Sequence, residues 1–208
     1  YARMVSNGSW KDYSFSSGMK EVSFDVYQRA SDKPVLRILK NLKPSYYNEK
    51  YLIKDKNGNI LKKSDIISAT KNAYEYLEFR SSKQISFKFI SNEKELFCNL
   101  NEELYEWVIE NLIKNAIDAM LGKGKLTLSI TSENNKVILN ISDTGKGMSK
   151  SQFRKIFDPG FTTKKRGWGL GLSLSQRIIE DYHTGKIIVK SSEVNKGTTF
   201  QIILDKVT

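Results

Sequence analysis

Residues 101 to 124 read Asn-Glu-Glu-Leu-Tyr-Glu-Trp-Val-Ile-Glu-Asn-Leu-Ile-Lys-Asn-Ala-Ile-Asp-Ala-Met-Leu-Gly-Lys-Gly, and their spacing decides the fold. Asn101 is suited to cap a helix from Glu102 to about Leu121, and the Gly122 to Gly124 stretch breaks it. Trp107, Val108, Leu112, Ile113, Ala116 and Ile117 offer an apolar face to a core. Asn111, Asn115 and Asp118 fall at i, i+4 and i+7 and so form a polar row on another face. Such amides on an apolar helix are uncomfortable unless they meet water, a metal or a ligand. A solvated helix face is the plainer alternative.

On either side of this helix the periodicity alternates between two and 3.6. Upstream, Ser64 is expected to cap a helix to about Arg80 with Ile66, Ala73 and Leu77 on one face. Ile85, Phe87 and Phe89, then Leu96, Cys98 and Leu100, alternate with polar residues as half-buried strands do. Downstream come strands Leu126 to Thr131 and Lys136 to Asp143, joined through Glu133-Asn134-Asn135. A loop from about Gly145 to Gly167, a helix from about Leu170 to Tyr182, and strands Ile187 to Ser191 and Thr198 to Leu204 complete the chain. Strands and helices recur through one stretch, so an α+β layer of mixed sheet and helices is expected. In the front 65 residues, Ser31 to Leu42 reads as a helix with Pro34 in its first turn, stopped by Pro44. Tyr51 to Lys54 and Ile60-Leu61 read as a hairpin around Asn57-Gly58. This front segment suggests no function.

Chemistry concentrates at two glycine-rich junctions. Strand Val137 to Ser142 runs into Asp143-Thr144-Gly145-Lys146-Gly147, a carboxylate followed by glycines that let backbone approach a flat ligand. A buried carboxylate there can accept a hydrogen bond from an exocyclic amine such as that of adenine, although Asp and Gly are also ordinary turn residues. Gly167-Trp168-Gly169-Leu170-Gly171-Leu172 precedes a helix, where free N–H groups favour phosphate.

Composition narrows the classes. The 208 residues are 39% hydrophobic and 27% charged, enough for a core and unlike a disordered chain. No run of about 18 apolar residues suggests a membrane span, and the first residues lack the apolar run of a secretory signal. The sequence starts at Tyr1, which reads as a processed protein or a piece of a longer one. One cysteine, Cys98, and one histidine, His183, make neither an intramolecular disulfide nor a four-ligand zinc site, and a cytoplasmic location is the default. The net charge of +11 has no Lys/Arg block longer than three residues, so nucleic-acid binding is not favoured.

Taken jointly, Asn111-Leu112-Ile113-Lys114-Asn115-Ala116, Asp143 to Gly147, Phe157, Gly167 to Leu172 and Gly197-Thr198-Thr199-Phe200 occur in an order that resembles the ATP-binding catalytic domain of sensor histidine kinases. That branch shares a superfamily with gyrase, Hsp90 and MutL ATPases. The resemblance covers about Asp65 to Leu204, and splits the chain into residues 1–65 of unknown role and a catalytic domain over 66–208. It implies a two-layer α/β sandwich with helices on one face of a mixed sheet, and a mobile lid over ATP. It further implies that Asn115 coordinates Mg²⁺ with Asn111 assisting one turn earlier, and places Asp118 on the same ATP-facing row. Asp143 would read adenine, with Gly145 and Gly147 lining the adenine side. Gly167, Gly169, Leu170 and Gly171 would form the phosphate-facing helix start, Thr199 would lie near the base, and Lys164, Lys165 and Arg166 would sit in the lid, facing the phosphates or solvent. Phe153, Phe157 and Phe161 are spaced by four, with Phe157 expected in the core; Trp168 replaces a usually small residue.

Hydrolysing relatives place a glutamate where this chain has Asn111, an amide without useful basicity, and the neighbouring Glu110 is rotated by about 100°. His183, in Tyr182-His183-Thr184-Gly185, reads as a structural turn. The phosphoacceptor histidine, usually on a dimerising helical hairpin, has no counterpart among these residues. The reading is therefore the catalytic part of a sensor kinase, with a histidine-bearing dimerisation domain and a response regulator as partners and any membrane link through other parts of a longer protein. A nucleotide-gated binding module and a gyrase- or MutL-type ATP hydrolase are the alternatives.

Overall fold

The computed structural model describes residues 12–27, 36–42, 51–55, 62–163 and 169–207. It divides into two compact units, Tyr1–Lys62 and Lys63–Thr208. In the first, β1 (Asp12–Ser17), β2 (Glu21–Tyr27), β3 (Leu36–Asn41) and β4 (Tyr51–Asp55) form an antiparallel sheet in that order. The helix expected over Ser31 to Leu42 is thus a strand where it is described. Six residues in a helix gain little beyond its nucleation cost. As β3 they pair on both sides, and the register that sets Arg37 opposite Asp25 lets its Nε and Nη2 donate to the buried carboxylate, both at 2.8 Å. The expected hairpin keeps its first strand in β4, whose described partner is β3; Asn57-Gly58 and Ile60-Leu61 lie outside the described residues.

β5 (Lys62–Asp65) leads into α1 (Ile66–Arg80), β6 (Ile85–Ser91), β7 (Phe97–Leu100) and α2 (Glu102–Met120). β8 (Gly124–Glu133), β9 (Lys136–Asp143), the short α3 (Gln152–Lys155), α4 (Gly171–Arg177), a π-helical segment (Ile178–Tyr182), β10 (Lys186–Glu193) and β11 (Gly197–Asp205) follow. The five-stranded sheet has the order β10-β11-β9-β8-β6, with β6 parallel to β8 and the other pairs antiparallel. Asn134 and Asn135 both take positive φ, 49° and 59°, which matches the two-residue turn that β8 and β9 need. β5 pairs with β7 apart from the main sheet.

Strand alternation fixes the layers. Leu126, Leu128 and Ile130 of β8, Val137, Leu139 and Ile141 of β9, and Phe200, Ile202 and Leu204 of β11 are buried on one face. α2 covers that face with Val108, Leu112, Ile113 and Ala116; Trp107 and Ile117, expected in the core, are only half-buried. The other face is polar, with Asn140 Oδ1 accepting from Gln201 Nε2 at 2.9 Å. This is the two-layer α/β sandwich. α1 is pinned to α2 by the Tyr105 hydroxyl, fully buried and 2.7 Å from Thr70 Oγ1. The cap of α1 is Asp65 and not Ser64: the Asp65 carboxylate accepts from the N–H groups of Ile67, Ser68 and Leu96, while Ser64 is taken up in β5. Among the described residues no helix is long and apolar enough to cross a membrane.

Candidate functional site

The turn that follows the C-terminal end of β9 packs on the C-terminal end of α2. Asp143 is 8% exposed, and its Oδ1 accepts the Gly145 N–H at 2.7 Å. Burial pushes its carboxyl above the usual carboxylate range, partly offset by the backbone N–H groups of Gly145 and Thr198. A carboxylate has about four acceptor positions, so these bonds leave room for a ligand donor.

The glycines after Asp143 are required by what they touch. A side chain at Gly145 would meet the backbone of Ala119 at 2.6 Å, and Lys146 N–H caps the Ala119 carbonyl at the end of α2 at 3.0 Å. Gly147 has φ +60°, and a Cβ there would overlap the Glu193 carbonyl. The turn is thereby wedged between α2 and the β10–β11 hairpin, where Lys146 O accepts from Asn195 N–H at 2.8 Å and Ser192 Oγ from Met148 N–H at 2.9 Å.

The first amide of the α2 row is met by α4. Asn111 Nδ2 donates to Ser175 Oγ at 2.9 Å, and a Cβ on Gly171 would lie 2.6 Å from Asn111 Oδ1. Asn111 and Asn115 are half-buried and Asp118 is exposed further along. Ser175, one helical turn after Gly171, is fully buried and was not anticipated from sequence; its i+4 spacing from Gly171 is the available signal. Gly169 packs directly against Gly160 and Phe161, with Gly160 N–H donating to Gly169 O at 3.2 Å. Leu170, 39% exposed, precedes α4. Lys164, Lys165, Arg166, Gly167 and Trp168 lie outside the described residues. Phe153, Phe157 and Phe161 do not share a helix, since α3 ends at Lys155; Phe157 packs edge-on against Phe200 at 6.4 Å, in the core as expected.

Thr199 is not brought to this site. Antiparallel register pairs it with Ser142, and the two hydroxyls bond at 2.9 Å on the open face of the sheet. Thr198 pairs with Asp143, is 5% exposed, and bonds Ser192 Oγ at 2.9 Å, beside the glycine turn. The parity with buried Phe200, Ile202 and Leu204 carried this information.

Two further groups have occupations that limit the chemistry. Glu110 Oε2 pairs with Lys114 Nζ at 2.5 Å, about 100° round α2 from the Asn111 row. His183 is 4% exposed; its Nε2 accepts from Asn101 N–H at 3.1 Å, so Nδ1 carries the proton donated to Ile178 O at 2.8 Å. Both ring nitrogens are engaged, as a structural turn requires. Among the described residues no three His, Cys, Asp or Glu side chains could hold a metal ion together. Asn115 instead offers one neutral oxygen, the kind of donor that suits a hard cation whose other ligands are phosphate oxygens and water.

Comparison with known proteins agrees with this geometry. Residues 101–208 match the family described as histidine kinase-, DNA gyrase B-, and HSP90-like ATPase; residues 1–69 match a family of unknown function, DUF2794. Sporulation kinase E of Bacillus subtilis (strain 168) is 33% identical over 159 residues, 76% of this chain and 20% of that protein. The chain thus spans about a fifth of that relative's length. Among solved structures, the nucleotide-free catalytic domain of histidine kinase ThkA is 31% identical with a TM-score of 0.64, covering 70% of this chain and 95% of the domain. A structure of ThkA in complex with the response regulator protein TrrA aligns at TM-score 0.63 and 26% identity, over 76% of this chain and 43% of that one. The sandwich, the α2 amide row and the Asp143 turn therefore belong to a member of the histidine kinase-, DNA gyrase B-, and HSP90-like ATPase family, and within it to a histidine kinase catalytic domain.

Proposed function

We propose that residues 66–208 bind ATP and direct its γ-phosphoryl group to a histidine outside these 208 residues, as the catalytic part of a two-component sensor kinase. The observation that carries this reading is the buried Asp143, whose glycine turn is wedged on the end of α2, the helix whose Asn111 is held against α4. Asp143 accepts from the adenine amine, and Thr198 supports it from the same face. Asn115 would hold Mg²⁺, which when bound would neutralise phosphate charge. Asn111, held by Ser175, supplies orientation and no basicity. Positioning and charge stabilisation are the main levers of phosphoryl transfer, so a site without a general base is no obstacle. Glu110, turned to Lys114, favours transfer over the hydrolase alternative. His183, buried and doubly bonded, is not the acceptor.

The partners that follow are a histidine-bearing dimerisation domain and a response regulator; the ThkA complex supports the latter by analogy. A cytoplasmic location fits ATP use. The test is to incubate the chain with γ-labelled ATP, Mg²⁺ and a separately produced histidine-bearing hairpin from a sensor kinase. Label on the hairpin histidine supports transfer. Tight ATP binding without label on any hairpin tried would favour a nucleotide-gated binding module.

A further inference from the structure

His183 is surrounded by backbone irregularities that serve its placement. The helix begun by α4 widens to a π turn at Ile178, so that His183 N–H bonds Ile178 O at 3.2 Å, and the next residue, Thr184, takes φ +48° although β-branched. π turns and left-handed β-branched residues are both unfavourable and persist where surrounding contacts require them. Here they turn the imidazole toward the start of α2. The Asn101 N–H that Nε2 accepts belongs to the residue whose Oδ1 caps α2 through Leu104 N–H at 3.2 Å. The Nδ1–H closes the other side on Ile178 O, in the continuation of α4. The ring packs edge-on to Tyr105 of α2, centroids 6.5 Å apart.

We propose that His183 is a positioning residue of the nucleotide site, one that sets the spacing between α2, with its Asn111 and Asn115, and α4, with Gly171 and Ser175. The proposal rests on the nucleotide-binding reading above. Among the described residues, hydrogen bonds tie the two helices through Asn111 with Ser175 at the site and through Asn101, His183 and Ile178 at the far end. Losing the far contact frees α4 to rotate about the near one, and a displacement of about 1 Å can cost up to about a hundredfold where geometry is tight.

Protonation provides a reversible form of the same loss. An imidazolium has two donors and no acceptor, so the Asn101 N–H would face another N–H. Burial holds the ring below its ordinary value of 6.5, partly offset by the Nδ1–H bond to Ile178 O, so the latch opens only on acidification below that value. Tyr105 faces the ring from α2 and stays neutral because burial raises its pKa far above the ordinary value. Glu180 and Asp181, on the π segment itself, are turned to Ile187 N–H and Arg177.

The experiment compares the 208-residue chain with His183→Gln, whose amide can donate and accept, and His183→Phe, which keeps only the shape. Mg·ATP affinity is measured by calorimetry from about pH 7.5 to about pH 5.5, with amide exchange on the nucleotide-free proteins. We expect His183→Phe to bind about tenfold more weakly at the higher pH and His183→Gln to recover most of that loss. The wild type should lose affinity on acidification more steeply than His183→Gln, which retains Asp143 and the same ATP phosphates and so isolates the ring. Exchange should rise together at residues 101–104 and 173–177 in His183→Phe. A folded His183→Phe with wild-type affinity, or faster exchange at one helix alone, overturns the proposal. If His183→Phe does not fold, parallel pH profiles for wild type and His183→Gln overturn it and diverging ones support it. A folded wild type that binds no ATP would sink the nucleotide reading, while the exchange pattern would still decide whether His183 couples the helices.

Discussion

Replacing Asp143 by Asn separates what the carboxylate does for a ligand from what it does for the fold. The Asn oxygen can still accept the Gly145 N–H now bonded at 2.7 Å, but the charged acceptor for adenine is gone. A hydrogen bond to a charged group contributes about 1.5–3 kcal/mol. At about 1.4 kcal/mol per tenfold, Mg·ATP should bind roughly 10- to 150-fold more weakly. Stability should move the other way. Burial raises the folded-state pKa of Asp143 above its ordinary 3.8, so the native state takes up its proton more readily than the unfolded chain. The associated stability is fully present below pH 3.8 and is lost as pH rises through the folded value, which leaves the charged form a burden at neutral pH. Asp143→Asn removes that burden, so its urea midpoint at neutral pH should equal or exceed the wild-type value, and the gap should close toward pH 3.8. Calorimetric titration with Mg·ATP, with an EDTA control, reads the first effect. The second is read by circular dichroism in urea across the pH range and, at neutral pH, by labelling of Cys98, whose thiol is 1% exposed and pushed up to about 12, chiefly by burial, so that it reacts only on unfolding. Undiminished ATP affinity in a folded Asp143→Asn, or a clear loss of stability at neutral pH, would refute the reasoning and make Asp143 a structural anchor for the Gly145 turn.

Three further substitutions test other parts of the argument. Thr198→Val removes a buried hydroxyl bonded to Ser192 and should weaken Mg·ATP binding about tenfold, whereas Thr199→Val, on the open face, should leave it within about twofold; the reverse order in a binding assay would mean the β11 register is wrong. Gly147→Ala places a Cβ against the Glu193 carbonyl at φ +60° and should cost at least about 2 kcal/mol in denaturant unfolding; a neutral result would contradict the wedged turn. Thr184→Gly relieves an exposed β-branched residue at φ +48° and should raise stability by about 1 kcal/mol, visible as a higher melting midpoint with unchanged His183 exchange behaviour.

Features confined to one element were legible without coordinates. The amide row of α2 needs only the 3.6 period, the run into Asp143 only the period of two, and the ordered motifs were enough to indicate the kinase-type sandwich. Tertiary structure decided whatever depends on a partner distant in the chain. Residues 36–41 carry a spacing compatible with a helix turn, and became β3 because β2 and β4 were there to pair with and Asp25 to receive Arg37. Asp65 took the cap from Ser64 because Leu96, 31 residues away, brings its N–H to the same carboxylate. Thr198 rather than Thr199 lies opposite Asp143 because of pairing register, a property of two strands, although its parity with Phe200 already placed it on the buried face. The same holds for His183: its neighbours in sequence mark a turn, but its bond to Asn101, 82 residues away, exists only once α2 and the π segment have packed. Local periodicity specifies an element and its faces, whereas contact between elements is set by the burial and pairing that the whole chain makes possible.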